Sequence, residues 1–296
     1  MGGGCPGCGM DDVTLNYGIE TAIRGSVAGV GVSRTRPTRL RNEILISLPR
    51  KSGNRPPTDK SHAMSDESNR LEELLGLKCP PLAISFRDAP PEGVARIESV
   101  APAGCSYWKL AAEGRVFYTE ASDHYNCPVG AYTHGIELPT ERREELDGLL
   151  GMMHELEYLQ EEEVKLIPRH SESFGVAVYA PWSLSPCEAD VVLVQGNAKQ
   201  IMLLWEAARG AGIHGDGETM GRPTCAMIPA AHQGGRLMTS LGCIGNRVYN
   251  ELADDQLYAA LPAERMAELI QHLETVVEAN RQLERFHRER LGSVSS

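Results

Sequence analysis

The sequence contains no run of eighteen or more apolar residues, so it predicts no membrane-spanning helix. Its N-terminus also lacks an apolar segment of the kind that secretory signals carry. These two absences predict a globular protein of the cytoplasm without a membrane partner.

Clustered positive charge is missing as well. The 296 residues include 29 Lys and Arg against 40 Asp and Glu, which gives a formal net charge of −11. A protein that neutralises nucleic-acid phosphates needs a local excess of cations. The charge balance therefore predicts no nucleic-acid partner, and it says little about the fold.

Residues 1–63 have little of the apolar periodicity that supports a folded core. They are rich in glycine at the start and then in arginine, proline and serine. Such a composition cannot bury enough apolar surface to offset the entropy of ordering. We predict a disordered extension over 1–63 and one globular domain over 64–296.

The chain has eight cysteines, although nothing in it predicts an oxidising compartment. Cysteines in that setting are metal ligands, reactive thiols or core residues more often than disulfides. Cys5 and Cys8 form a Cys-x-x-Cys pair in glycine-rich surroundings, but no hydrophobic periodicity nearby predicts a fold to hold a site. We treat this pair as incidental, with metal binding as an open alternative.

Four other cysteines form two matched pairs, Cys105 with Cys127 and Cys225 with Cys243. In each pair the first cysteine is followed nine residues later by glycine, and later by the second cysteine. Both pairs lead into the same helix opening, Leu-Pro-x-Glu-Arg-x-x-Glu-Leu. We interpret this as an internal duplication. The alternative is a chance recurrence of a common helix start.

The duplication predicts the arrangement of the domain. A period of about 120 residues is too long for a solenoid repeat. We therefore expect two pseudo-symmetric β-containing half-domains with packed helices, over about 78–160 and 174–290. The predicted strands are 82–86, 96–100, 174–179 and 190–194, with a further β-rich run at 116–119. The predicted helices are 65–75, 105–112, 140–160, 198–209 and 263–290. Together they predict an α+β protein, with α/β character in parts.

Several separated motifs resemble those of one known family. They are Cys-Pro-Pro-Leu-Ala-Ile-Ser-Phe, Cys-Ser-Tyr-Trp-Lys-Leu-Ala-Ala-Glu-Gly-Arg-Val-Phe, Asp-His-Tyr-Asn-Cys-Pro-Val-Gly-Ala and Gly-Cys-Ile-Gly-Asn-Arg, in this order. Over about 68–280 the sequence resembles the uncharacterised prokaryotic family named domain of unknown function 169. The resemblance implies no settled reaction. It implies that the family's characteristic motifs contain Cys105, Cys127, Cys225, Cys243, Gly114, Gly130, Gly242 and Gly245, but not Cys5, Cys8, Cys79 or Cys187.

Four cysteines from two related halves suit a soft metal centre, because thiolates select iron-sulfur clusters, zinc or Cu(I) over hard ions. Zinc ribbons present their ligands as close Cys-x(2–4)-Cys pairs, whereas the spacings here are 22 and 18 residues. A 4Fe-4S cluster between the halves accepts dispersed ligands better. We predict an iron-sulfur protein with Cys105, Cys127, Cys225 and Cys243 as metal ligands. Zinc is the weaker alternative, and four plain core cysteines are another.

Further residues are predicted to support this centre. His124 could be a ligand, a proton donor or a partner that orients a sulfur. Arg222 and Arg247 could neutralise a cluster or an anionic ligand. The glycines that would let backbone amides approach a cluster are Gly104, Gly130, Gly242 and Gly245. The partner would be a redox protein or a small-molecule ligand, and the charged C-terminal helix is an open candidate for a homo-oligomer contact.

Two other functions stay open from the sequence. Cys127 or Cys243 could be a nucleophile with His124 as its base, although no family signature of a cysteine enzyme is present. A small-ligand binding module is the other, with a pocket between the halves shaped by the glycine-rich loop 210–221. The sequence does not decide whether the protein is an enzyme.

Overall fold

Seven strands form one sheet in the computed structural model, which describes residues 57–220 and 223–294. They are β1 (Leu82–Arg87), β2 (Phe117–Glu120), β3 (Val176–Pro181), β4 (Val191–Asn197), β5 (Gly215–Met220), β6 (Leu237–Ser240) and β7 (Gln256–Pro262). The strand order is β2-β3-β1-β4-β7-β6-β5. All neighbours are antiparallel except β5 and β6, which are parallel.

Nine α-helices surround this sheet in the described part of the chain. They are α1 (Pro57–Leu75), α2 (Ser106–Ala112), α3 (Pro128–Thr133), α4 (Thr140–Glu155), α5 (Glu161–Leu166), α6 (Ala198–Gly210), α7 (Met227–Gly234), α8 (Ile244–Asn250) and α9 (Met266–Val294). The predicted α+β class is confirmed. Within the described ranges, no helix combines the length and apolarity needed to cross a bilayer.

The sheet is buried on both faces because successive side chains of a strand point to opposite sides. In the central strand β4, Val192 and Val194 belong to a core that includes residues of α1, α6 and α9. Val191 and Leu193 belong to a second core, which includes residues of α2 and α7. The continuous apolar run predicted for a central strand therefore has a helix layer on each side.

Several predicted elements differ from the structure. The predicted strand at 96–100 is absent, and only Arg96 makes an isolated bridge, to Tyr118 of β2. Three strands were not predicted: β5, because its glycines are poor strand formers, β6, which has only four residues, and β7, because it is apolar on both faces and lacks alternation. The first helix begins at Pro57, before the predicted start near Ser65. The rest of the predicted extension, including Cys5 and Cys8, lies outside the described residues.

The predicted relation between the two halves stays a prediction. The shared Leu-Pro opening lies in a loop before α4, but at the end of strand β7 before α9. No side chain of α4 is buried, whereas α9 buries Leu269, Leu273 and Val277. Six strands nevertheless have a symmetric order, β2-β3-β1-β4-β7-β6. If β1 corresponds to β4, β3 to β7 and β2 to β6, the corresponding strands lie at equal distances from the middle of this order. This correspondence puts β3 in the first half, whereas the sequence predicted it in the second.

Candidate metal centre

The four predicted ligand cysteines occupy similar local positions. Cys105 directly precedes α2, Cys127 precedes α3 and Cys243 precedes α8. Cys225 lies in a 3-10 turn, Thr224–Ala226, that leads into α7. Each cysteine is therefore held where the chain enters a helix, and each pair encloses the same succession of helix, strand and cysteine.

Contacts between these elements bring the two pairs together. Helix α2 contacts α8, and α3 contacts the turn that contains Cys225. Between α8 and α2, the Asn250 amide donates to the Cys105 carbonyl oxygen at 2.9 Å. The backbone N–H of Cys243 donates to the Thr224 hydroxyl at 2.5 Å, beside Cys225. The elements that carry one pair thus contact those that carry the other, and the bond from Cys243 to Thr224 ties the second pair together.

The electrostatics of the thiols indicate the same convergence. Burial is the main cause that raises the pKa of Cys105 to about 12, and the nearby charges of Cys127 and Cys243 contribute to that rise. Burial also raises the pKa of Cys225, with additional contributions from the charges of Cys127, Cys105 and Cys243. Because such interactions weaken with distance, these effects agree with the contacts between the elements that carry the four cysteines. Without a compensating cation, Cys105 and Cys225 stay protonated at neutral pH.

Asn246 was not predicted, but it belongs to this neighbourhood. The Asn246 amide faces the Cys105 sulfur and partly offsets the rise in the pKa of Cys105. Neither amide atom forms a hydrogen bond of good geometry. The residue is 1% exposed. A buried amide without partners lowers stability by about 1–3 kcal/mol. A bound group that forms hydrogen bonds with the amide would therefore suit this position. The sequence signal was its place in Gly-Cys-Ile-Gly-Asn-Arg.

His124 lies near the first cysteine pair, three residues before Cys127. Its Nε2 is 2.9 Å from the Thr119 hydroxyl oxygen, and its Nδ1 has no hydrogen-bond partner. A Cβ placed on Gly104 would be 3.4 Å from that Nδ1, so the free nitrogen faces the segment before Cys105. Burial lowers the pKa of His124 to about 4. The ring is neutral at pH 7 and can donate or accept one hydrogen bond there.

Three more histidines continue from His124 in ring-to-ring contact. The ring centroids are 5.5 Å apart for His124 and His134, and 5.7 Å apart for His134 and His170. His170 Nε2 is 3.1 Å from Nδ1 of His232. Burial lowers the pKa of both His134 and His170 to about 3. The sequence could not predict this cluster, because its members come from four separate segments.

Asp123 holds the segment that carries His124. It is 3% exposed, and it accepts hydrogen bonds from the Arg96 guanidinium at 2.9 and 3.0 Å and from the Glu120 N–H at 2.8 Å. We expect Asp123→Asn to lower the free energy of unfolding by about 2 kcal/mol, because charge-assisted bonds are lost. Urea denaturation measures this change. The exposed Asp255→Asn is the control, and equal stability of both variants would contradict the role of Asp123.

Two of the predicted glycines have a steric reason to be glycine. A Cβ on Gly130 would be 3.0 Å from the Cys127 sulfur. Gly242 has a φ of +81°, and a Cβ there would be 2.7 Å from a methyl of Leu252 and 3.2 Å from the Asn246 amide oxygen. These glycines therefore leave room for the sulfur and for the buried amide. Their role as cofactor-binding residues stays a prediction.

The remaining predicted site residues contribute less to this geometry. A Cβ on Gly245 would meet only the ring of Tyr249 in ordinary contact. Arg247 donates to the carbonyl oxygens of Leu241 and Ala253, so its guanidinium ties together the chain around α8. Its predicted role in charge neutralisation stays a prediction. Arg222 lies outside the described residues.

Residues 70–272 match the family DUF169, described as "Uncharacterised ArCR". This chain belongs to the DUF169 family. The match covers more than half of the chain and includes all four cysteines of the candidate centre. The resemblance predicted from separated motifs is therefore confirmed.

Curated relatives of this DUF169 chain match only a short segment. The Fe/S biogenesis protein NfuA of Stenotrophomonas maltophilia strain K279a is 61% identical over 34 residues, 12% of this chain and 17% of that protein. NfuA of Xanthomonas oryzae pv. oryzae strain PXO99A is 66% identical over 30 residues, 10% and 15% of the two chains. The chain thus spans about a sixth of the length of these relatives. No solved structure matches the chain.

The DUF169 domain does not provide a conventional single-ion site in the part of the chain that the structure describes. There, no three His, Cys, Asp or Glu side chains are placed so that they could hold one metal ion.

The predicted pocket of loop 210–221 also differs from expectation. The loop includes strand β5, and the adjoining depression is lined by α6 residues such as Trp205 and by Gly212–Gly215. None of the four cysteines lines it.

Proposed function

We propose that Cys105, Cys127, Cys225 and Cys243 bind one iron-sulfur cluster of the 4Fe-4S type. The cluster would be used in electron transfer, sensing or cluster-based catalysis. The observation that carries the proposal is the convergence of four cysteines from two distant parts of the chain, through the contacts of α2 with α8 and of α3 with the turn before α7.

The lack of a single-ion site among the described residues supports a cluster over zinc. Four sulfurs around one zinc ion, with bonds of about 2.3 Å, stand only about 3.8 Å apart. The cysteine sulfurs of a cubane stand roughly 7 Å apart. Thiols that influence one another electrostatically without forming a single-ion site fit the wider arrangement better.

The polar surroundings also suit this group. Burial disfavours the thiolate forms of Cys105 and Cys225 when no metal is bound. Bound iron would favour these thiolates. The Asn246 amide, which lacks a partner, is positioned near Cys105 to donate to sulfur. Hydrogen bonds to cluster sulfurs and burial are two properties that set reduction potential. The chemistry that the group supplies when bound is the gain and loss of one electron.

The NfuA matches agree with iron-sulfur chemistry, but they carry little weight for this site. Their names describe Fe/S biogenesis proteins, and the matching segments have 30 to 34 residues. A segment of that length is far shorter than the DUF169 domain. The ligand assignment therefore depends on the geometry of the domain.

Iron and acid-labile sulfide analysis of the full chain, prepared without oxygen, tests the proposal. We expect about four iron and four sulfide per chain, together with broad visible absorption. The Cys5→Ser/Cys8→Ser variant is the essential control, because that Cys-x-x-Cys pair is a separate potential metal site. It should keep the full iron content. Loss of all iron from this control, or near-zero iron in the unmodified chain, would refute the assignment.

A further inference from the structure

A pocket of about 230 Å³ lies beside the cysteine centre, between α2 and the middle of the sheet. Leu82 and Leu193, which are partners across β1 and β4, contribute apolar side chains to it. Trp108 and Tyr258 also line it, with their rings 5.5 Å apart in an edge-to-face arrangement. Pockets for drug-sized ligands have about 300–1,000 Å³. This pocket therefore fits a molecule of one or two rings and is too small for a nucleotide.

Three polar groups in the pocket lining have unused hydrogen-bonding capacity. The Gln195 side chain lines the pocket and has no partner among the described residues. The Trp108 indole N–H and the Asn250 amide oxygen are buried without partners. One amide, one N–H donor and one carbonyl acceptor together can serve both a donor and an acceptor of a ligand. Apolar walls with a few such groups are typical of small-molecule sites.

The charge of the pocket argues against an anionic ligand. Lys109 and Glu113 both line it, so their formal charges cancel. The Lys109 ammonium also pairs with the Glu251 carboxylate at 3.1 Å. Recognition of phosphate or carboxylate groups generally uses arginine forks or an excess of positive charge. Neither is present among the lining residues.

We propose that this pocket binds a small, uncharged, planar molecule that carries adjacent N–H and C=O groups. The Gln195 amide would pair with both groups at once, as glutamine does with the edge of a base. The ring would lie between the leucines and Trp108. The pocket and the cysteine centre share a wall, because Asn250 lines the pocket and also donates to the Cys105 carbonyl oxygen. A ligand here would lie next to the chemistry of that centre, but its binding does not depend on a metal.

Saturation-transfer NMR with three probes on the full-length protein tests the proposal. The probes are 2-pyridone, N-methyl-2-pyridone, which lacks the N–H, and benzoate, which is anionic. We expect 2-pyridone to bind at least about tenfold more tightly than either of the others, since one hydrogen bond contributes about tenfold. Equal binding of the N-methyl compound, or tighter binding of benzoate, would overturn the ligand class.

Two variants locate the binding site. Gln195→Leu removes the pairing amide, and Ala112→Phe fills the pocket from α2 without removing a polar group. Both should weaken 2-pyridone binding at least about tenfold, whereas the exposed Gln282→Leu on α9 should not. Thermal melting of each variant verifies folding. If 2-pyridone does not bind the unmodified chain, or if both folded pocket variants bind it normally, the proposal is wrong.

Discussion

Cys127→Ser and Cys243→Ser are each expected to lower iron and sulfide content by at least about tenfold. Even residues that only support metal ligands typically change metal affinity by 10 to 100-fold, and loss of a ligand should have at least that effect. The two cysteines come from opposite pairs and are half-buried, so a hydroxyl is tolerated there more easily than at the buried Cys105 and Cys225. A loss of this size in both single variants would show that the two pairs serve one centre.

Two free cysteines outside the candidate centre provide matched controls. Cys79 and Cys187 are half-buried, as are Cys127 and Cys243. Cys79→Ser and Cys187→Ser should therefore keep the iron and sulfide content of the unmodified protein. An equal loss in these controls would mean that iron retention reflects general stability. Full retention in Cys127→Ser would remove that residue from the ligand set.

The buried histidines predict a steep loss of stability in mild acid. His124, His134 and His170 have pKa values lowered to about 4, 3 and 3, whereas unfolded histidines titrate near 6.5. Their contribution to stability is present above pH 6.5 and is lost as the pH falls towards the folded values, because only the unfolded chain takes up protons there. Each proton changes the free energy of unfolding by about 1.4 kcal/mol per pH unit. Three histidines together give about 4 kcal/mol per pH unit between pH 6 and 4.

Urea denaturation at several pH values between 7 and 4 measures this slope. His170→Phe should reduce it by about 1.4 kcal/mol per pH unit, because the ring among Phe86 and Phe174 is kept while one titrating group is removed. The exposed His287→Gln should leave the slope unchanged. A slope that is the same in His170→Phe as in the unmodified protein would contradict the assignment of these protons to the histidine cluster.

The sequence predicted the elements whose pattern is local. The central strand β4 and the helices α2, α6 and α9 follow from apolar runs, spacing and glycine stops. The strand β5 was missed because its pairing with β6 depends on partners 20 to 22 residues away rather than on its own composition. The helix α4 shows the opposite error. Leucines recur at helical spacing on one face of it, yet none of its side chains is buried, and this face lines a small apolar pocket.

The candidate site could be predicted in part for the same reason. Matched spacing along the chain was enough to single out the four cysteines. Asn246, His134 and His170 leave no such trace, since their importance arises from burial and from neighbours contributed by distant segments. The pocket beside Trp108 likewise combines residues of α2, β1, β4, α8 and β7. Only the folded chain brings these groups together.

X-ray absorption at the iron edge of anaerobic Cys5→Ser/Cys8→Ser protein tests the central claim most directly. That variant contains the DUF169 domain cysteines but not the separate Cys-x-x-Cys pair. One cluster held by Cys105, Cys127, Cys225 and Cys243 predicts an iron–sulfur shell at about 2.3 Å, as in other metal thiolates, together with an iron–iron shell. A sulfur shell without neighbouring iron, or stoichiometric zinc in place of iron, would contradict a cluster at this site.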